Sequence, residues 1–455
     1  MEVRARELEG RLLLALAAAE RGHHVLLGDL RSMLSHRTWL PPGIYHDKSV
    51  TPSGRKIAFH RSLIDAGFRV TSQDEEHGLL ERDYDGFAAR RYSAISVGQA
   101  DAVMMWGPHD ERALVGRHPE CAAKVHATGS PRVDMWRPEM ADLYRGLPLP
   151  GIDTQRPYVL FVSNTVAVKK NPLWLDIRNK RPSYFHGDDD AAEWARYRKY
   201  AEHTLYAGEA VRAIRLAARR HPDLQFVIRP HPDEGDGVWD DLIGAVPNVT
   251  IIRHGGIGRW VRGAHLVMHN GCTTGFEAAV PRVPLVSFQP DGWQADVSSN
   301  RLGRVASDID ELDALITAAH DPATRAAWYS EASRVVLDER FAALDGRLAA
   351  DRIVDVWDEL GDPPGGTRGV ALRRARLAGA AHRALGDARR TMRRVRADST
   401  HTTGERRFAT SHKFPPLKGT DVDPLVDGLR TATGRFRDVK ARRVGDRLIE
   451  LRRVS

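Results

Sequence analysis

The stretch LQFVIRPHP, residues 224–232, runs an apolar strand straight into Arg229, Pro230, His231 and Pro232. Its two prolines restrict the backbone on both sides of the histidine, so His231 is expected at the carboxyl end of that strand. A short unbroken apolar run ending in such a turn is the mark of a strand buried on both faces. Comparable runs surround it: YVLFVSN (158–164), NVTIIR (248–253), HLVMHN (265–270) and PLVSF (284–288), with a long helix predicted to run through 200–220 and another from Thr274. Strands separated by helices imply a parallel sheet covered on both sides.

The same grammar fills the first 145 residues. A helix over 7–21 stops at Gly22 and leads into HHVLLG (23–28); a second helix over 56–66 precedes FRVTS (68–72), and DAVMMWG (101–107) and KVHATG (124–129) come after it. A Pro- and Gly-rich stretch, LPLPGIDTQRP (147–157), separates the two series. The expected fold class is therefore α/β, with two Rossmann-like parallel-sheet domains at 1–146 and 147–362 and a ligand cleft at the carboxyl ends of their strands. Residues 363–455 form a third, basic segment. There Val370, Leu377, Leu385, Met392 and Val395 recur at near-heptad spacing among arginines, which predicts a basic amphipathic helical tail.

Charge follows that division. Residues 361–455 carry 23 Lys and Arg against 10 Asp and Glu, whereas residues 1–360 carry 45 against 50. A nucleic-acid binder would hold its basicity on the folded domains, so residues 365–455 suit either an anionic membrane surface or a helix packed on the core with a solvated basic face. The two cysteines, Cys121 and Cys272, are too few for a disulfide framework or a cysteine zinc site. No run of about 18 apolar residues occurs, and Glu7, Glu9 and Arg11 interrupt the start where a secretory leader needs apolar residues. A cytoplasmic protein is expected, with at most a peripheral place on the inner face of the plasma membrane.

Three segments carry candidate chemistry. In IRPHPDEGDG (228–237), His231 can donate to a leaving phosphate, while Arg229 offers charge and paired donors. In LVMHNGCTTGFEA (266–278), Gly271 permits a tight turn and Thr273 and Thr274 open a helix, a place suited to phosphate. A plain capping box between Thr274 and Glu277 explains the same residues without a ligand. In SQDEEHGLL (72–80), Asp74, Glu75 and Glu76 bunch three carboxylates, whose repulsion would ready one to accept a proton.

Together RELEGRLLLALAAAERGHHVLLG (6–28), the DEE cluster, ADAVMMWGPHD (100–110), VHATGSPRVDMWRPE (125–139), IRPHP and HNGCTTGFEA, with HKFPPL (412–417) as a fainter echo, resemble the bacterial surface carbohydrate biosynthesis family of GT-B-type glycosyltransferases. The likeness spans nearly all of residues 4–360. It implies transfer of a sugar from a nucleotide donor to a carbohydrate or lipid-linked saccharide acceptor, with no metal and no cofactor. A more distant likeness to transferases of CMP-activated ulosonic acids makes Glu75 and Glu76 resemble an acidic base pair, His231 and Pro232 an HP motif on the nucleotide, and Thr273 and Thr274 its phosphate-binding hydroxyls. The implied donor site comprises Asn164, Arg229, His231, Pro232, His254, Asn270, Gly271, Thr273, Thr274 and Glu277. His77 separates Glu76 from Gly78, so the acidic motif departs from the pattern. The family fold also places a strand ahead of RELEG, of which MEVR is the remainder unless the start lies upstream. Two other readings fit the same motifs: phosphotransfer from a CDP-alcohol, as in teichoic acid polymerases, and a carbohydrate-binding scaffold without turnover.

Overall fold

A computed structural model describes residues 1, 3–30, 32–33, 40–75, 84–145, 149–165, 190–232, 234–253, 255–290, 297–362, 414–417, 419–445 and 447–454. The chain divides into two compact units, one built from Met1–Gly78, Asp83–Arg145 and Asp338–Ser455, the other from Leu79–Arg82 and Gly146–Leu337.

In the first unit, strand β1 is Val25–Gly28, β2 Ile44–Asp47, β3 Arg69–Gln73, β4 Ala102–Met104 and β5 Val125–His126. Strands β2 to β5 form a parallel sheet in that order, as the alternation of strand and helix predicts. β1 does not join it. It pairs antiparallel with Leu448–Arg453, which also pairs with Val439–Gly445, in a separate three-stranded sheet. HHVLLG, expected in the parallel sheet, therefore lies outside it. Val25, Leu26 and Leu27 are only half-buried, whereas the partner strand keeps Ile449 and Leu451 fully buried.

The C-terminal segment also differs from expectation. The basic run 370–396 lies outside the described residues, but the described chain beyond it folds as helix Gly419–Thr433 and an antiparallel hairpin rather than as a helical tail. It is tied into the first unit: Arg435 pairs with Glu20 (2.6 Å) and Asp351 (2.8 Å), and the Phe436 N–H donates to Glu20 at 3.0 Å. Residues 338–360 return to this unit as well, so the boundary expected at 362 is not where the structure divides. The motifs around 101–139 account for that return. A Cβ on Gly107 would run into the Arg340 carbonyl, and one on Gly129, whose φ is +85°, would lie 2.5 Å from the Ala342 oxygen. Fully buried Asp134 accepts the N–H groups of Ala349 and Ala350, both at 2.9 Å, at the start of helix Ala349–Leu360. Arg137 donates to the carbonyls of Ala343 and Gly346. GSPRVDMWRPE is thus a clasp for the returning chain, in which Asp134 and Arg137 satisfy backbone groups that burial would otherwise orphan.

The second unit holds β6 Tyr158–Val162, β7 Gln225–Arg229, β8 Val249–Ile251, β9 Leu266–His269, β10 Leu285–Phe288 and β11 Arg304–Ala306. All six are parallel, in the order β11-β10-β9-β6-β7-β8. β6 and β9 are buried throughout, which is why these strands read as continuous apolar runs. Helix Asp190–Arg220 packs Tyr206, Ala210, Ile214 and Ala217 into the core with Phe161, Phe226 and Met268. Strand order reverses between β6 and β9, and ligands of open α/β sheets bind outside the carboxyl ends at such a reversal.

Candidate functional site

The register fixes which residues share that rim. Val162, at the end of β6, lies opposite Arg229 of β7 on one side and His269 of β9 on the other. Neighbouring strands stand about 4.8 Å apart, so the ends of β7 and β9 are roughly 10 Å apart with β6 between them. Ser163–Thr165, Pro230–Pro232 and Asn270–Thr274 therefore leave one level of one sheet side by side. Asn270 crosses the reversal itself, its Nδ2 donating to the Asn164 carbonyl at 3.4 Å, and its buried Oδ1 has no hydrogen-bond partner among the described residues.

Burial sorts these residues. His231, Asn164 and Thr273 are half-buried and Pro232 is exposed, while Arg229, Asn270, Gly271, Thr274 and Glu277 are buried. Gly271 has φ +85°, and a Cβ there would meet Val297 at 2.8 Å, so the tight turn after the strand does require glycine. Helix Thr274–Ala279 is only six residues long, and its N-cap is Thr273, which makes no side-chain cap bond. The cap thus lies one residue ahead of the position that a capping box between Thr274 and Glu277 would use. Arg229 donates to the Gly255 carbonyl at 2.8 Å and lies 5.7 Å from the Trp260 ring centre. Burial, then the neighbouring Arg259 charge, lowers its pKa to about 10.

Two residues outside the expected set hold this rim together. Glu234 is wholly buried and accepts four hydrogen bonds: from Ser163 Oγ (2.7 Å) and the Thr165 N–H (2.8 Å) on one oxygen, and from the His231 N–H (3.1 Å) and Trp239 Nε1 (2.8 Å) on the other. It fastens the loop after β6 to the proline-flanked histidine. His269 is also wholly buried; its Nδ1 accepts from the N–H groups of Gly271 (3.2 Å) and Cys272 (3.4 Å), which places the ring proton on Nε2. Burial brings its pKa down to about 3, so the ring is neutral. Gly275 makes room for it, since a Cβ there would lie 2.8 Å from His269 Cε1. In the sequence Glu234 sits in an acidic turn and His269 on a strand edge, and only tertiary packing distinguishes them.

The acidic cluster belongs to the first unit and differs from expectation. Asp74 is held by Arg91 through two bonds of 2.6 and 2.8 Å. Glu75, 6% exposed, pairs with Arg11 at 2.7 Å. Each carboxylate faces a guanidinium rather than another carboxylate, so mutual repulsion is not what governs this pair. Glu76 and His254 lie outside the described residues.

No protein-family model matches the chain, and no curated protein matches it. Among solved structures, UDP-GlcNAc 2-epimerase from Neisseria meningitidis bound to UDP-GlcNAc is 14% identical, over 70% of this chain and 75% of that one, with a TM-score of 0.40. The wall teichoic acid polymerase TagF is 10% identical over 70% and 89%, with a TM-score of 0.38. Anabaena HepE in complex with UDP and glucose is 11% identical over 70% and 77%, with a TM-score of 0.33. Likeness at these scores carries no conclusion about function.

Proposed function

We propose that the chain is a glycosyltransferase that moves a sugar from a nucleotide donor to a carbohydrate or lipid-linked saccharide acceptor, without a metal ion. One observation carries the reading: the HP segment, the Asn164 loop and the Asn270–Thr274 turn meet at the carboxyl rim where strand order reverses. The acceptor hydroxyl attacks the anomeric carbon and the bond to the donor phosphate breaks. Negative charge then gathers on the departing phosphate, and Arg229, His231 and the hydroxyls of Thr273 and Thr274 stabilise it there. The hydroxyl proton passes to a carboxylate of the acidic cluster, Glu75 or Glu76. The motif likeness favours a CMP-activated ulosonic acid as donor, and a lipid-linked acceptor would bring the chain to the inner face of the plasma membrane.

Calorimetry against CMP, UDP and GDP tests this. Binding of CMP that weakens at least tenfold in His231→Asn is expected; tight UDP binding with no response to CMP removes the donor preference, and no binding to any of the three overturns the reading. The Arg11–Glu75 pair favours a second reading, a binding protein without turnover, because a base already engaged by a guanidinium is poorly placed to take a proton. Glu75→Gln, Glu76→Gln and the double variant separate the two: loss of transfer with nucleotide affinity retained supports catalysis.

A further inference from the structure

We infer that the C-terminal hairpin of the first unit, Val439–Gly445 and Leu448–Arg453, is a docking face for an anionic lipid bilayer. This goes beyond the proposed sugar transfer and does not rest on it. Five cations of this ribbon and its approach, Arg437, Lys440, Arg442, Arg452 and Arg453, are exposed. None of them forms an ion pair or a side-chain hydrogen bond among the described residues. Several other arginines of the unit are matched: Arg4 with Asp421, Arg11 with Glu75, Arg21 with Asp355, Arg91 with Asp74, Arg435 with Glu20 and Asp351; Arg55 and Arg117 are exposed and unmatched among the described residues, but each stands alone rather than in a group.

The register makes the grouping unfavourable without a partner. Lys440 stands directly opposite Arg452, and like charges facing each other across a strand pair repel. Glu450 lies opposite Arg442 but is buried and bonded to His24 at 2.8 Å. Val439–Gly445 pairs on one side only, so it is an edge, and cations do guard edges against stray pairing. That role needs one or two charges on the edge strand. It does not explain Arg452 and Arg453 on the inner strand.

The surface suits headgroups better than bases. Its exposed residues include no aromatic ring and no Asn or Gln to read a base edge, only charges followed by exposed Val454. A spread of cations without specific donors fits a diffuse negative field, in which each Lys or Arg strengthens binding by a factor of about five.

The test is co-sedimentation of the full-length chain with vesicles of phosphatidylcholine, alone or with about a third phosphatidylserine, at roughly 0.1 M salt. Preference for the anionic vesicles is expected, and Lys440→Gln/Arg442→Gln/Arg452→Gln should lower it on the order of a hundredfold. The charge-preserving pair Lys440→Arg/Arg452→Lys should bind like the parent, with an unchanged melting midpoint in all variants as the check on folding. Equal binding by the triple variant, or displacement from vesicles by duplex DNA at lower concentration than by free phosphatidylserine vesicles, overturns the inference. Nucleotide affinity measured on the same variants should not move, which keeps this outcome separate from that of the donor site.

Discussion

Replacing Glu234 probes the rim most directly. Its two oxygens take four donors from three parts of the second unit, and Glu234→Ala leaves Ser163 Oγ, Trp239 Nε1 and the N–H groups of Thr165 and His231 without their acceptor. An orphaned buried donor costs about 1–3 kcal/mol. Water entering the space left by the side chain recovers part of the sum, so a loss of about 4 kcal/mol is expected. At about 2–4 °C per kcal/mol for a unit of this size, the melting midpoint falls by roughly 8–16 °C. Glu234→Gln keeps one acceptor oxygen but turns an amide NH2 toward two donors, and about half that loss is expected. Differential scanning calorimetry reads both variants, and titration with CMP reads the position of His231. A Gln variant within about 0.5 kcal/mol of the parent would refute the four-donor cradle. An Ala variant that is destabilised yet binds nucleotide as before would show that the cradle supports the fold and not the site.

Acid stability gives two further checks. His269 has a folded pKa of about 3 against an ordinary 6.5, so its contribution is complete above pH 6.5 and is lost as pH falls toward 3; by pH 5 roughly 2 kcal/mol should be gone in urea titrations, and His269→Asn, which keeps an acceptor for Gly271, should flatten that loss. Asp47 runs the other way in chemistry though not in direction. Burial raises its pKa, but the hydrogen bond from His60 and the Lys56 ammonium outweigh it and bring the value from 3.8 down to about 2. Its stabilisation of roughly 2 kcal/mol is present above pH 4 and disappears between pH 4 and 2, and a parent and Asp47→Asn with the same slope across that window would contradict this. Gly275→Ala would place a methyl 2.8 Å from His269 Cε1 and 3.0 Å from Ser299 Cβ; a loss of about 1–3 kcal/mol is expected, and an unchanged midpoint would mean the ring can move aside.

The second unit was the more legible half because its central strands are buried on both faces. YVLFV, QFVIR and LVMH carry no polar alternation to obscure them, and proline or Asn-Gly marks where the last two end. Their order in the sheet has no local signature, so the reversal between β6 and β9 is visible only in the fold. Partners were illegible for the same reason. Glu75 is matched by Arg11, and Asp134 by the first amides of a helix more than two hundred residues away. A cluster of like charges reads as mutual repulsion until its distant counterions are seen. In the C-terminal segment the density of arginine masked a two-residue alternation, Val439 and Ala441, then Ile449 and Leu451, that belongs to strands.

The pairing of Val25–Gly28 with Leu448–Arg453 joins the first and last strands of the described chain, so the second unit is an insertion within the first. During synthesis the early strand waits without its partner until the ribosome has delivered almost everything else, whereas nearly all of the inserted unit lies in one run, Gly146–Leu337, and can close well before release. Shortening the protein at its C-terminal end would then remove a load from neither an appendage nor a linker. It would strip the neighbour from the opening strand, and a truncated product should be recovered as aggregate with its second unit still folded.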